Sequence, residues 1–506
     1  MRRCCRMTNM ASMTTCPDNV NVAGVTAATD RFSELPEPLV HQIMHSLPFE
    51  EAARMSLLSR VFKMAWNTFP VVCFNEDRPK GCFYDLFTRE GLRDRIIQKL
   101  SYRVKRVNKG TSDALLDRAI GCAVERKVRE LDLDFVGPLA DNVSIKQYYR
   151  FPLVVLSANS ITVLSLKGLQ FTEGDLVSLT YPSMLDLCIQ RCKGIKMLRV
   201  CCVKLRTLKV ESCASMEKIE VVDAPNLESF FFARVSGEHD LACLVDIFSC
   251  KLLKHLTIKE VGISNKWVEN HVSAMRLLET VNLTGCKALT ELKICHKRLK
   301  SLQLNDCRSL VSVDIEARSM ESFLYCGQPK PSLFTIEAPR LNARINLQGT
   351  STYEDLREFL VSFGHSREVT LGCASEKVLI FPDELRDRGI SPLWGLKHLK
   401  VFVTSADSRE LVDLVDSMLW LAPKPDVFTV NVQPDSVEKS LQFGYAFSRA
   451  DEEKDLFCCF GSPIKCWRHY VKEVTSSNFK PKEVKALEKF FRDKAIRLEA
   501  IYCNAN

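Results

Sequence analysis

Cysteine and histidine offer most of the chemistry in this 506-residue chain, which carries 22 of the first and 9 of the second. Thiolates and imidazoles in company bind zinc, and a thiolate beside a base is a nucleophile. Either use demands a spacing that brings the groups together. Cys192 and Cys213 stand 21 residues apart, as do Cys286 and Cys307, and no C-x-x-C knuckle accompanies them. His41 and His45 lie one helical turn apart, half of a metal site, but no acidic or cysteine partner is read beside them. The histidines do not cluster with acids, and the chain lacks G-x-x-x-x-G-K-S/T, H-E-x-x-H and G-x-S-x-G. A catalytic cysteine would need a partner, and none is recognisable. Buried structural cysteines, surface histidines, no catalytic residue, no metal and no cofactor are therefore the expectation.

The cysteines mark a repeat instead. MLDLCIQRCKGIKMLRVCCVK (184–204) aligns with LRTLKVESCASMEKIEVVDAP (205–225), so that Leu187, Ile189, Cys192 and Ile195 meet Leu208, Val210, Cys213 and Met216. Leu198 and Val200 then meet Ile219 and Val221. LETVNLTGCKALTELKICHKR (278–298) and LKSLQLNDCRSLVSVDIEARS (299–319) repeat the frame, with Val281, Leu283 and Cys286 over Leu302, Leu304 and Cys307. A period of 21 with L-x-x-L-x-(L/I/V)-x-x-C lies in the leucine-rich-repeat range. The L-x-(L/I/V) pair points inward from a short strand, and a weakly polar thiol can be buried where the chain turns out of it. One repeat cannot bury its apolar face alone, whereas stacked repeats share a core.

Weaker copies extend the array. SDALLDRAIGCAVERKVRELDLDF (112–135) predicts a helix running into a strand over 128–135, and ITVLSLKGLQF (161–171) and LKHLTIKEV (253–261) predict strands. STYEDLREFLVSFGHSREVTL (351–371) is helix then strand, with Leu356, Phe359, Leu360 and Phe363 on one face. LKHLKVFV (396–403), SRELVDLVDSMLWL (408–421) and DVFTVNV (426–432) read as strand, helix, strand. A loop including PDSVEKSLQFGYAFSRADEEKD follows, then strand and helix in HYVKEVTSSNF (469–479) and PKEVKALEKFFRDKAIRLEAIY (481–502), which closes on a strand. The fold class is α/β: a short N-terminal helical segment, then an irregular solenoid of ten or more units, a curved parallel sheet backed by helices and loops.

Composition fits that plan. The chain is too long for one ordinary core unless it grows in one dimension, and its 46% hydrophobic and 26% charged residues are those of a globular protein. A net charge of +8 is a small excess, so no nucleic-acid partner is expected. The most basic stretch, RDRIIQKLSYRVKRVNKG (93–110), has apolar residues at helical spacing and reads as a solvated helix face and loop. MRRCCRMTNMASMTTC never reaches an apolar core of signal-peptide length, and no window supplies the roughly 18 apolar residues of a membrane span. Lipidation at Cys4 and Cys5 is weighed against a short disordered tail over 1–29, and the tail is preferred. Free thiols in a reducing cytoplasm or nucleus follow, with no membrane partner.

The N-terminal segment DRFSELPEPLVHQIMHSLPFEEAARMSLLSRVFKMAWNTFP (30–70) has no repeat in it. Leu39, Val40, Ile43, Met44 and Leu47 make one apolar helix face, entered through Pro36 and Pro38 and stopped by Pro48. Glu50 and Glu51 suit the start of a second helix, and Ser59 can cap a third that holds Phe62 and Trp66. Three helices in so few residues offer little core, and their apolar surplus must be covered by a partner or by the solenoid.

These residues carry a resemblance. Leu35-Pro36, Leu39, Ile43, Leu47-Pro48, Ala52, Ser56, Leu57-Leu58-Ser59-Arg60 and Trp66 resemble an F-box. With the cysteine-bearing repeats and an ending similar to the domain called FBD, the chain is identified as a member of the plant F-box/leucine-rich-repeat family. Members commonly have a basic pair and Trp where this chain has Arg60, Val61 and Phe62; Phe loses area and the indole N–H, a change that should not alone abolish binding. The resemblance implies an F-box at 30–72, a connection at 73–111, a solenoid at 112–380 and FBD-like repeats at 381–506. It implies docking on a Skp-type adaptor of a cullin–RING ubiquitin ligase through Leu35, Pro36, Leu39, Ile43, Leu47, Pro48, Leu57, Leu58, Phe62 and Trp66, some of which must form the F-box's own core. An unknown target protein is expected on exposed strand positions such as Lys209, Glu211, Asn282, Thr284, Gln303 and Asn305. The alternative is an interaction scaffold whose N-terminal helices cap the solenoid.

Overall fold

The computed structural model describes residues 34–75, 96–103, 113–135, 149–171, 176–214, 216–235, 243–329, 334–349, 351–388, 391–405, 411–432, 437–445 and 466–504. The tail at 1–29 and most of the basic stretch at 93–110 lie outside them. The chain divides into two compact units, Met1–Phe69 and Pro70–Asn506.

In the first unit, Glu37–Ser46 (α1), Phe49–Met55 (α2) and Arg60–Thr68 (α3) are helices. Pro36 is the N-cap of α1 and Pro38 sits in its first turn, where a missing N–H leaves nothing unpaired. Pro48 is the N-cap of α2, so the second Leu-Pro pair both ends one helix and begins the next. Ser59 caps α3 by accepting the Phe62 N–H at 3.3 Å.

In the second unit, the pairing of strands reproduces the alignment of the repeats. Thr207–Glu211 lies parallel to Asp186–Gln190 with Leu208 beside Leu187 and Val210 beside Ile189. Ser301–Asn305 lies on Thr280–Thr284 with Leu302 beside Val281 and Leu304 beside Leu283. The same ladder continues from Val71–Asn75 to Val427–Val432, every pair parallel, within a sheet of 18 described strands. Inward positions such as Leu187, Leu208, Leu283 and Leu304 are buried. Each 21-residue unit also adds a second strand. Met197–Val200 and Lys218–Val221 belong to a four-stranded parallel sheet, and Glu291–Cys295 and Ser312–Glu316 to a three-stranded one. Small sheets therefore join helices and loops in backing the main sheet.

Strand exits explain the cysteines. The residue after the strand is left-handed at Arg191, Ser212, Glu260, Gly285 and Asp306, and a cysteine follows at 192, 213, 286 and 307. Each of these thiols lies within hydrogen-bonding reach of two backbone carbonyls: Cys192 of Leu166 and Gln190, Cys307 of Leu283 and Asn305. The backbone satisfies the thiol locally and no second polar side chain is required. Cys192, Cys213, Cys286 and Cys307 form no disulfide.

Two segments differ from expectation. The helical reading of 93–110 gives way to the strand Lys99–Arg103, paired with Val71–Asn75 on one side and Glu130–Asp134 on the other. Ile97 and Leu100 fit a helix period, but Leu131 and Leu133 supply a strand partner for Leu100 and Tyr102 from 31 residues away. The parallel ladder thus begins at Val71, well ahead of residue 112. Within the loop read after residue 432, Lys439–Tyr445 is a strand, with Leu441 and Phe443 inward. It runs antiparallel to Val427–Val432 and to Val471–Ser477, so strand direction reverses before Ala500–Asn504 restores a parallel pair. Helix Pro481–Lys494 precedes that last strand, as its stripe predicts.

Candidate functional site

The three N-terminal helices sort their apolar residues into two sets. Val40, Met44, Ala52, Phe62, Ala65 and Phe69 are buried. Leu57 and Leu58, in the turn between α2 and α3, are 74% and 72% exposed, and Leu39 on α1 is 45% exposed. Leu47, Pro36 and Pro48 are exposed as well, while Leu35, Ile43 and Trp66 are half-buried. The predicted single face of α1 is therefore split: Val40 and Met44 turn inward, Leu39 and Leu47 outward. Phe62 falls on the core side of the two roles that the sequence leaves open. It is part of the unit's own core, at 5% exposure, because the Ser59 cap fixes the start of α3 and its apolar spacing sends Phe62 inward with Ala65.

Aromatic rings brace this small core. Trp66 packs between Phe49 and Phe69, with ring centroids 5.1 and 5.9 Å away. His41 and His45 both lie against Phe69, and the His41 Nε2–H donates to the Ala65 carbonyl at 2.9 Å. Contrary to the sequence reading, His41 has an acidic neighbour: Glu37, one turn earlier, at 3.7 Å. Among the described residues no three His, Cys, Asp or Glu side chains converge on a point. Met64, 70% exposed on α3, was not anticipated. Its signal is available in the sequence, since it lies outside the Phe62–Ala65–Phe69 spacing that defines the buried side.

The exposed side of the parallel sheet forms a second surface. Asn282 and Gln303 stand side by side across adjacent strands, as do Thr284 and Asn305. The structure brings these four together: Asn282 Nδ2 donates to Gln303 Oε1 at 2.9 Å, and Thr284 Oγ1 donates to Asn282 Oδ1 at 3.0 Å. Lys209 and Glu211 lie three strands earlier and pair with each other at 2.8 Å. Burial works against the Glu211 carboxylate, but hydrogen bonds from Lys209 and Gln190 outweigh it and hold its pKa below the usual carboxylate range. Phe231 stands between the two groups on an outward position, with Lys209 Nζ 4.7 Å from its ring centroid and Lys259 Nζ 5.5 Å. It was missed because the run Phe230–Phe231–Phe232 shows no alternation, although Phe230 and Phe232 are the buried pair. Among the described residues, no helix is long and apolar enough to cross a membrane.

Comparison with known proteins places both surfaces in context. The F-box domain model matches residues 32–74, and the model of the At1g61320/AtMIF1 LRR domain matches 158–243 and 239–454. The chain is similar to the F-box/FBD/LRR-repeat protein At4g03220 of Arabidopsis thaliana, 25% identical over 88% of this chain and 81% of that one. It is also similar to the FBD-associated F-box protein At5g60610 of the same plant, 26% identical over 55% of this chain and 76% of the relative.

Proposed function

Because the chain belongs to the plant F-box/leucine-rich-repeat family, we propose that it is the target-recognition subunit of a Skp–cullin–F-box ubiquitin ligase. The helical unit docks on the Skp-type adaptor, and the exposed strand face holds a target protein. Such a subunit makes and breaks no bonds. It raises the target's effective concentration near a ubiquitin-charged enzyme and limits its orientation.

The observation that supports this most is the Leu57-Leu58 turn. Fully burying a leucine side chain gains about 1.5–3 kcal/mol, so two adjacent leucines held largely in water are a standing cost that a partner can remove. Leu39, Leu47 and Met64 add to the apolar surface of the same unit. The buried set, by contrast, gives the unit its fold, and Phe62→Ala should cost about 3–5 kcal/mol of its stability.

Co-expression with a Skp-type adaptor tests the reading. The wild type is expected to co-purify at 1:1, and Leu57→Asp/Leu58→Asp to lose the adaptor with its melting temperature unchanged. Phe62→Ala should lose it together with the fold of the unit. A folded wild type that never retains the adaptor would overturn the reading and leave the scaffold.

A further inference from the structure

We propose that the edge of the repeat unit centred on Val203 and Val222 is an isologous interface with a second copy of this chain. The inference does not draw on the receptor reading above.

The edge is made by the turns that lead into five adjacent main strands, from Val163–Lys167 to His255–Lys259. Leu153, Leu156, Val203, Val222, Phe248 and Leu252 stand on these turns, between 38% and 69% exposed. Hydrogen bonds hold neighbouring turns against one another. The Tyr181 hydroxyl donates to the Val155 carbonyl at 2.9 Å, Asn226 Nδ2 to the Val203 carbonyl at 2.8 Å and Ser249 Oγ to the Val221 carbonyl at 2.7 Å. The six side chains therefore form one strip. Single exposed leucines are ordinary on a protein surface, and a continuous apolar strip is not.

The repeat frame does not call for them. From 253 to 310 no large apolar side chain is exposed. The same turn in the later repeats carries Arg276, Lys297 and Arg298, then Arg318 and Arg340. The apolar edge is a local departure, and covering it with a matching surface removes it from water.

Charge and size select the occupant. Lys204 and Asp223 lie beside the centre of the strip, on its third and fourth turns, both exposed and without an ion-pair partner among the described residues. A second copy turned end for end about an axis between Val203 and Val222 brings Lys204 of each chain opposite Asp223 of the other. One pair of residues then makes two ion pairs, and the same operation lays Val203 on Val222 and Phe248 toward Pro182. Lys251, one turn farther out, falls on the rim. Four steps of about 4.8 Å make the strip roughly 19 Å long. A standard interface covers about 800 Å² per partner, roughly 28 Å across, so the strip has the size of its apolar core and leaves space for a polar rim.

Sedimentation equilibrium of the full chain tests this, with the Leu57→Asp/Leu58→Asp variant in parallel to remove self-association through the helical unit. Both are expected to reach twice the 57.5 kDa of one chain by about 100 µM. Val222→Asp/Phe248→Asp should be monomeric with its far-UV circular dichroism unchanged. Asp223→Lys should weaken the pair at least about tenfold, and Lys204→Asp/Asp223→Lys should restore it. Arg340→Asp, on the basic stretch of the same edge, should change nothing. The inference is overturned by a monomer at every concentration, or by a dimer that needs Leu57 and Leu58. It is equally overturned by a dimer indifferent to Val222→Asp/Phe248→Asp, or by a charge swap that fails to restore the pair.

Discussion

At the residue scale, the chain's most reactive side-chain type is used as filler. Burial pushes the thiols of Cys243 and Cys250 up to about 11 and that of Cys373 up to about 12. Burial and the adjoining Cys213 thiol push Cys192 up as well. Only the thiolate is nucleophilic, and near pH 8 a thiol of pKa about 11 is ionised to roughly one part in a thousand. Alkylation of the native protein with iodoacetamide near that pH, followed by peptide mass mapping, should therefore label exposed Cys503 early. Cys243, Cys250 and Cys373 should be spared until denaturant is added. Rapid native labelling of any of the three would argue against their role as packing. The sequence shows this role through the 21-residue spacing of Cys192/Cys213 and Cys286/Cys307, because a strict repeat imposes one environment on every copy. It cannot show which apolar residues of the first 70 are inside. Leu39 and Val40 are neighbours of similar character, and only the crossing of α1 with α3 decides which one is buried.

At the element scale, the device that permits stacking is the left-handed residue at the strand exit. Most copies carry an ordinary side chain there, as Ser212 and Asp306 do at φ +54° and +51°. Gly194, past the strand exit at Arg191 and outside that set, is left-handed as well, at φ +84°. A Cβ on Gly194 would overlap the carbonyl of Phe171, in the preceding turn of backbone, and backbone cannot swing aside as a side chain can. Gly194→Ala should cost about 1–2 kcal/mol from its left-handed conformation alone, and more from the clash. Gly285→Ala meets the Glu260 carboxylate at the end of a flexible chain and should cost less. Urea midpoints of the two variants check the order, and a larger loss for Gly285→Ala would contradict it. Elements with clean alternation or a helical stripe, such as Thr207–Glu211 and Tyr353–Val361, were legible in the sequence. Ser229–Ala233, Lys99–Arg103 and Lys439–Tyr445 were not. Their signals are an unbroken Phe run, a pattern shared with helices, and two apolar residues beside charged flanks, and each is resolved only by a partner strand distant in sequence.

At the scale of the whole molecule, the chain divides into two units of different build. The parallel ladder is long because each repeat needs neighbours to close its core, and the same stacking lines up outward side chains into rows. The helical unit is too small for a large core and displays leucines that a repeat would bury. Family membership was legible from the doubled Leu-Pro pattern and the cysteine frame together, whereas the reversal of strand direction after Val432 left no mark in the sequence. The central claim is that one unit is reserved for the adaptor and the other for the target. Amide hydrogen exchange of the full chain, with and without a Skp-type adaptor, tests it most directly. The account predicts added protection within residues 36–64 and none along the strands from Thr207 to Asn305. Protection on those strands, or no change anywhere upon mixing, would contradict it.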